Sequence, residues 1–284
     1  MSIITPSMNQ GRFIPETIHS VLTQEAGAVE HFIADGGSTD ETLEILRLHD
    51  GQVCWVSEPD RGQAHAVNKG IAATSGDIIG WLNSDDVYAP GALAAARDAF
   101  EANPEADVVF GRANHIDADG NVAGAYPVEP VSLDRLRETC TFCQPAVFFR
   151  RGVTERWGLL DESLQFCMDY EYWIRLIAGG ARFYFLDTVL ACSRVHEDTK
   201  TLSRRSEAYR EACRMLRDRF GRTPGRWLFG YAAAQAEAKG YSRSKPIRMF
   251  LVSAWNAARA DLHFHRRPTR HFWGGLADTI RRFS

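Results

Sequence analysis

The chain has 284 residues, of which 45% are hydrophobic and 24% charged, with a formal net charge of -3. This balance excludes a disordered, collagen-like or disulfide-scaffold chain, and no uncharged apolar run is long enough to read as a membrane span. The small net charge hides a division: residues 1–202 carry 15 basic and 30 acidic side chains, and residues 203–284 carry 18 and 6. The expectation is a domain over 1–202 followed by a basic helical C-terminal extension over 203–284.

In chain order, Ser2–Pro6 reads as a strand, entered with no basic or long apolar leader, so a cytosolic chain is expected. Phe13, Ile14, Ile18, Val21 and Leu22 recur at helical spacing within Arg12–Gln24. Val29–Ala34 is a second strand, and Ser38 with Glu41 reads as a capping box that opens a helix to Leu48. Val53–Val56 is a strand, Gln63–Thr74 a helix, Asp77–Leu82 a strand, Pro90–Glu101 a helix and Asp107–Phe110 a strand. This alternation predicts an α/β fold with a mainly parallel central sheet flanked by helices.

After residue 110 the rhythm changes. Asp117–Gly120 reads as a hairpin turn between two strands, Ala146–Arg150 as a strand and Tyr170–Ala178 as a helix. Arg182–Leu186 and Val189–Val195 read as two late strands. From Ser203 the pattern is helical, broken near Gly221–Gly225, Gly240 and Arg266–Pro268. Of the six cysteines only Cys140 and Cys143 form a C-x-x-C, and no second pair completes a zinc site, so free thiols are expected.

Polar clusters follow the first, second and fourth strands: Thr5–Asn9, Asp35–Asp40 and Asn83–Asp86. In open α/β sheets ligands bind beyond the carboxyl ends of the strands, so the three share one edge. Adjacent carboxylates such as Asp85 and Asp86 repel unless a cation joins them, and hard oxygen ligands suit Mg²⁺ or Mn²⁺. A helix cap or a turn is the competing reading of the same residues.

The stretches Thr5-Pro6-Ser7-Met8-Asn9, Asp35-Gly36-Gly37-Ser38-Thr39-Asp40 and Gly76 through Asp86 occur in this order. With Glu58–Gly62, Asn68–Ile71 and Met168–Trp173, they resemble the family 2 inverting glycosyltransferases of the GT-A fold. The resemblance covers about residues 2–200 and lies nearest the branch acting in bacterial polysaccharide and cell-envelope assembly. It implies a metal-dependent hexosyltransferase that uses a nucleotide-sugar of the UDP, GDP or dTDP type and a glycan or lipid-linked acceptor. Thr5, Pro6, Asn9, Asp35, Asn68, Asn83 and Ser84 then fall at nucleotide-binding positions. Asp85 and His196 fall at the positions that hold Mn²⁺ or Mg²⁺, and Asp169 at that of the general base. Asp169 also reads as the N-cap of the helix that follows it. Two residues depart from the family pattern: Asn83 stands where the first acid of D-x-D is usual, and Met168 where Glu precedes the base.

The basic region combines Arg226–Phe229 and His271–Phe283 as bulky apolar and cationic runs. Either they lie on an anionic membrane, at the inner face of the plasma membrane, or they pack on the acidic body. No nucleic-acid-binding module is recognisable, and no G-x-G-x-x-G follows the first strand. The competing functions are another nucleotide-dependent transferase and an inactive nucleotide-sugar-binding partner in a glycan assembly complex.

Overall fold

The computed structural model describes residues 1–197, 199–241 and 246–265. Its first elements are β1 (Ser2–Ser7), α1 (Ile14–Leu22), β2 (Glu30–Asp35), α2 (Thr42–Leu48), β3 (Cys54–Ser57), α3 (Gln63–Ala73) and β4 (Ile78–Trp81). There follow β5 (Val87–Tyr88), α4 (Ala92–Ala102), β6 (Val108–Ile116), β7 (Val122–Ala125), α5 (Leu133–Glu138), β8 (Val147–Arg150) and α6 (Gly152–Trp157). The last are α7 (Met168–Ala178), β9 (Phe183–Arg194), α8 (Lys200–Ser203), α9 (Arg205–Phe220), α10 (Gly225–Ala238) and α11 (Pro246–His265). By internal contacts the chain forms two compact units. Unit 1 comprises Met1–Leu133, Cys140–Ser163 and Met168–His196; unit 2 comprises Asp134–Thr139, Leu164–Cys167 and the described residues from Glu197 onward.

Unit 1 is built on one sheet in the order β3-β2-β1-β4-β8-β6-β9-β5, with β7 beside β6. From β3 to β4 every pairing is parallel, as the βαβ alternation predicts. β8 runs antiparallel to both β4 and β6, and β6 and β9 run parallel. All six residues of β1 are buried, and the adjacent Ile3 and Ile4 give each face of the strand an apolar side chain. On one face α1 buries Ile14, Thr17, Ile18 and Val21, the i, i+3, i+4, i+7 stripe of an amphipathic helix. Ile14 and Ile18 join Ile33, Leu46 and Val53 in one cluster, while Val21 joins Ile3, Leu93, Phe100 and Phe148 in another. On the opposite face Gly70 lets α3 approach β1: a Cβ there would sit 2.4 Å from Ile4 Cγ2.

Three expectations are corrected. Ser38 and Glu41 do not form a capping box; α2 begins at Thr42, and no side chain caps its Glu41 N-cap. Ser38 is instead engaged with Asp35 and Asn9, and Asp40 accepts the Thr42 N–H at 3.1 Å. The two late strands are one, β9, because register shifts around Arg112 of β6 carry the pairing across Asp187 and Thr188. β5, α5 and α6 were not among the predicted elements; each is six residues or fewer, too short to show a period, whereas β7 is the second strand of the hairpin expected around Asp117–Gly120.

In unit 2, Cys213, Leu228, Tyr231, Ala260 and Phe264 of α9, α10 and α11 form an apolar cluster. Gly221, at φ +70, ends α9 in the left-handed conformation that closes many helices. Leu228 and Phe229 are buried, so the apolar part of Arg226–Phe229 packs inward rather than facing a membrane. The other stretch proposed for that role, His271–Phe283, lies outside the described residues. Among the described residues no helix is long and apolar enough to cross a membrane.

Candidate active site

The first polar loop closes on itself. Parallel pairing of β1 with β2 sets Ser7 opposite Asp35, and the Gly36 N–H continues the ladder to the Ser7 carbonyl at 2.8 Å. Asp35 is fully buried, and one of its oxygens accepts the N–H groups of Gly37 (3.1 Å) and Ser38 (2.9 Å) and the Ser57 hydroxyl (2.6 Å). Its other oxygen accepts the Ser38 hydroxyl at 2.5 Å. Asn9, at φ +52, accepts the Thr39 N–H at 2.8 Å and donates its own N–H to Ser38 Oγ at 2.7 Å. Asn9 and Asp35 therefore shape one cradle at the carboxyl edge of the sheet.

The other residues of the predicted nucleotide set lie apart from that cradle or beneath it. Pro6 is buried in β1 opposite Ala34. Thr5 is buried, with its hydroxyl 3.0 Å from His31 Nε2. Burial drives the His31 pKa down to about 3, and its Nδ1 has no hydrogen-bond partner among the described residues. Asn68 exchanges hydrogen bonds with the backbone of Leu160 at 3.0 and 3.1 Å and donates to Glu162 at 3.1 Å, tying α3 to the segment after α6. Glu162 also pairs with Arg61 at 2.5 Å.

The loop after β4 brings the remaining candidates together. Asn83 accepts from Gln63 Nε2 (2.7 Å) and Trp81 Nε1 (2.9 Å) and donates to Asp86 Oδ2 (3.1 Å) and Gln144 Oε1 (3.0 Å). That donor role explains the departure from D-x-D: an ionised aspartate has no hydrogen to give Asp86 or Gln144. The Thr17 hydroxyl of α1 lies 2.9 Å from the Ser84 carbonyl and 2.8 Å from the Asp86 carbonyl, holding the turn from below. Asp86 is buried, accepts the Arg194 N–H at 2.9 Å, and has its pKa raised well above the usual range by burial and, second, by Asp85.

Asp85 differs from Asp86. Its side chain is 21% exposed, and its Oδ2 lies 3.1 Å from His196 Nε2. The imidazole packs on the Phe13 ring, with centroids 4.7 Å apart. Among the described residues no group of three His, Cys, Asp or Glu converges as a metal site. The Asp85–His196 pair nevertheless offers a carboxylate oxygen and an imidazole nitrogen toward one point. Such a pair fits a divalent cation that takes its other ligands from phosphate oxygens and water.

Asp169 sits in the first turn of α7 and is half-buried. Burial first, and the Asp169 charge second, push the Cys140 thiol up to about 12. Burial likewise raises Tyr126, with Cys140, Cys143 and Asp169 as further causes. The Cys143 thiol is raised by its burial first, with Asp86, Cys140 and Asp169 as further causes. The C-x-x-C pair is two protonated, free thiols between acids. Trp173 is buried against Phe142 and Phe149, making it a core residue.

Sequence reasoning missed Gln63, Thr17, Arg194 and Gln144 as supports of this loop. Gln144 bonds Asn83 and donates to the Trp81 carbonyl at 2.5 Å. Nothing in a linear pattern signals these bonds, because each joins residues at least twenty positions apart.

The sequence model of glycosyl transferase family 2 matches residues 2–158, more than half of the chain. The chain belongs to this family. The glycosyltransferase is 28% identical over 227 residues to an uncharacterized glycosyltransferase of Rickettsia prowazekii (strain Madrid E), covering 74% of this chain and 69% of the other. It is 30% identical over 186 residues to the chondroitin synthase of Escherichia coli, covering 63% of this chain but 27% of that one. In three dimensions it is similar to residues 1–349 of S. aureus TarS in complex with UDP-GlcNAc, with a TM-score of 0.65 and 16% identity over 99% of this chain and 90% of that one. It is also similar to the mannosyltransferase PcManGT from Pyrobaculum calidifontis in complex with GDP-Man and Mn²⁺, with a TM-score of 0.60 and 18% identity over 99% and 86%. These likenesses establish the GT-A fold for this glycosyltransferase.

Proposed function

We propose that this family 2 glycosyltransferase transfers a hexose from a nucleoside diphosphate sugar to an acceptor hydroxyl with inversion at the anomeric carbon. The observation that carries the reading is the meeting of Asp85 and His196 at 3.1 Å in the loops at the sheet edge. Asp85 and His196 would hold Mn²⁺ or Mg²⁺ against the diphosphate, and the cation would supply charge neutralisation for the departing group. Asn9, Asp35 and the backbone around Gly36 and Gly37 shape the place of the nucleoside, with Thr5, Pro6, Asn83 and Ser84 as its supports. Asn68 fixes the wall formed by the 160–162 segment. Asp169 accepts the proton of the acceptor hydroxyl as that oxygen bonds to the anomeric carbon. The bond from that carbon to the diphosphate oxygen breaks on the opposite face, and the nucleoside diphosphate leaves with the electron pair.

The bound UDP-GlcNAc of TarS and GDP-Man of PcManGT support a donor of the UDP or GDP type, with dTDP as the third base to test. The chondroitin synthase relative supports a glycan acceptor in polysaccharide assembly, and a lipid-linked acceptor is the second class to test. A peripheral seat on an anionic inner membrane leaflet accords with the basic residues of 203–284 and with exposed Trp255, Arg259 and Leu262 on one face of α11. Cosedimentation with anionic vesicles tests that seat, and equal binding after Trp255→Ser and Leu262→Ser would remove α11 from it.

The main test is a binding panel of UDP, GDP and dTDP with and without Mn²⁺. One nucleotide should bind at least tenfold more tightly with Mn²⁺, and Asp85→Ala should abolish that gain. Release of the same diphosphate from its sugar nucleotide, lost in Asp169→Asn, separates an enzyme from an inactive binding partner.

A further inference from the structure

Arg194, the last residue of β9, carries a guanidinium whose side chain is only 1% exposed. A buried cation is costly unless every donor finds an acceptor, so the identity of its acceptors reports what it is for. Its Nε donates to the Asp85 carbonyl at 2.9 Å. One terminal nitrogen donates to the carbonyls of Asp117 (3.1 Å) and Ala118 (3.3 Å) in the turn after β6. The other donates to the Glu16 carboxylate of α1. The flat face of the guanidinium lies 5.1 Å from the centre of the Phe13 ring, the same ring that packs on His196. The Arg194 main-chain N–H meanwhile holds Asp86 Oδ1 at 2.9 Å.

These contacts converge on one geometric consequence. The Asp85 carbonyl and the Asp86 carboxylate are both fastened to Arg194, and His196 follows two residues later on the same chain. Val195, between them, is pinned to the β6 end by its N–H to Ile116 at 2.8 Å. The two side chains that meet at 3.1 Å therefore extend from backbone positions tied through a single residue. Asn83 and Thr17 fix the fold of the five-residue connection from β4 to β5, and Arg194 adds the tie from that connection to the strand that leads to His196. With four of its five N–H donors held by protein acceptors and its side chain buried, Arg194 offers almost no surface to a substrate.

We propose that Arg194 is a positioning residue that sets the separation of Asp85 and His196, and thereby the divalent-cation affinity of the site, with Glu16 as its anchor on α1. The proposal rests on the reading of Asp85 and His196 as the cation pair. Supports of this kind, one bond removed from a ligand, change metal affinity by about 10–100-fold. A lysine at 194 keeps the charge but lacks the planar fork that reaches the Asp85 carbonyl, the turn and Glu16 together.

The test titrates Mn²⁺ into the full chain with saturating UDP, GDP or dTDP, whichever binds, and reads free Mn²⁺ by electron paramagnetic resonance. Nucleotide affinity without metal and the unfolding midpoint are measured beside it. Asp85→Ala should lose Mn²⁺ binding; if it retains wild-type binding, the cation-pair reading itself is wrong. Given that loss, Arg194→Lys should weaken Mn²⁺ about tenfold or more while metal-free nucleotide affinity stays unchanged. Raised Mn²⁺ should then restore its turnover. Glu16→Gln, at a half-exposed position, should weaken Mn²⁺ severalfold. A folded Arg194→Lys with wild-type Mn²⁺ affinity overturns the inference. If Arg194→Lys does not fold, an unchanged Mn²⁺ affinity in Glu16→Gln overturns it instead, and a weakened one sustains it.

Discussion

Two acidic loops leave the carboxyl edge of the same sheet, one after β2 and one after β4, and they use their carboxylates in opposite ways. Asp35, in the first, spends both oxygens on the N–H and O–H groups of its own surroundings. Asp86, in the second, does likewise with Arg194 and Asn83. Asp85, one residue earlier, turns out of that network toward an imidazole and solvent. The difference teaches that an acid at a strand end is a ligand candidate only where the fold has not already satisfied it. Repulsion between neighbours does not by itself call for a cation when burial raises the pKa of one of the two, as it does for Asp86.

The sharpest way to extend the contrast is the third acid, Asp169. Asp169→Asn should lower turnover by about 10²–10⁴-fold, the usual contribution of a general base, with Mn²⁺-dependent nucleotide binding unchanged. Single-turnover rates and calorimetry on the same samples check this. The two loops themselves should fail in different currencies. Asp35→Ala leaves buried donors of Gly37, Ser38 and Ser57 without an acceptor and should cost about 3 kcal/mol in urea unfolding. Asp85→Ala should abolish the Mn²⁺ effect on nucleotide binding while moving stability by less than about 1 kcal/mol. Equal stability losses in the two variants would break the comparison.

Asn83→Asp probes the same loop from the amide side. It replaces two donated hydrogen bonds with a charge facing Asp86, and should cost roughly 1–3 kcal/mol by thermal or urea unfolding at neutral pH. A pH-dependent effect concerns the floor beneath the β2 loop. His31 is held neutral by burial, with its pKa near 3 against an ordinary value of 6.5. The unfolded chain therefore takes up this proton first as pH falls. The contribution is fully present above pH 6.5 and is lost between 6.5 and about 3, at up to about 1.4 kcal/mol per pH unit. His31→Gln should flatten the stability curve in that window; a curve parallel to wild type would show that His31 titrates normally.

Much of this molecule was legible before any coordinates. The parallel half of the sheet repeats apolar strand and amphipathic helix at regular spacing, and a pattern of that kind follows from local periodicity. The polar clusters around Asp35 and Asp85 were visible for the same reason, each standing where an apolar run stops. The mixed half was less legible. β9 read as two strands because Asp187 and Thr188 look like a turn, and only pairing across a bulge in β6 keeps it whole. Ser38 had the spacing of a cap, but its hydroxyl donates to Asp35 and its oxygen accepts the Asn9 N–H rather than an N–H of α2.

Composition, periodicity and the order of short motifs by themselves determined the fold class, the edge of the sheet that carries the site, and the residues to examine there. These depend on contacts between neighbours in sequence or on the two faces of one element. Tertiary structure alone decided which acid is free to meet a ligand, why Asn rather than Asp stands at 83, and how Arg194 ties Asp85 to the strand before His196. Each of those rests on bonds between residues distant in sequence, whose partners are set only when the sheet closes and the loops at its edge converge.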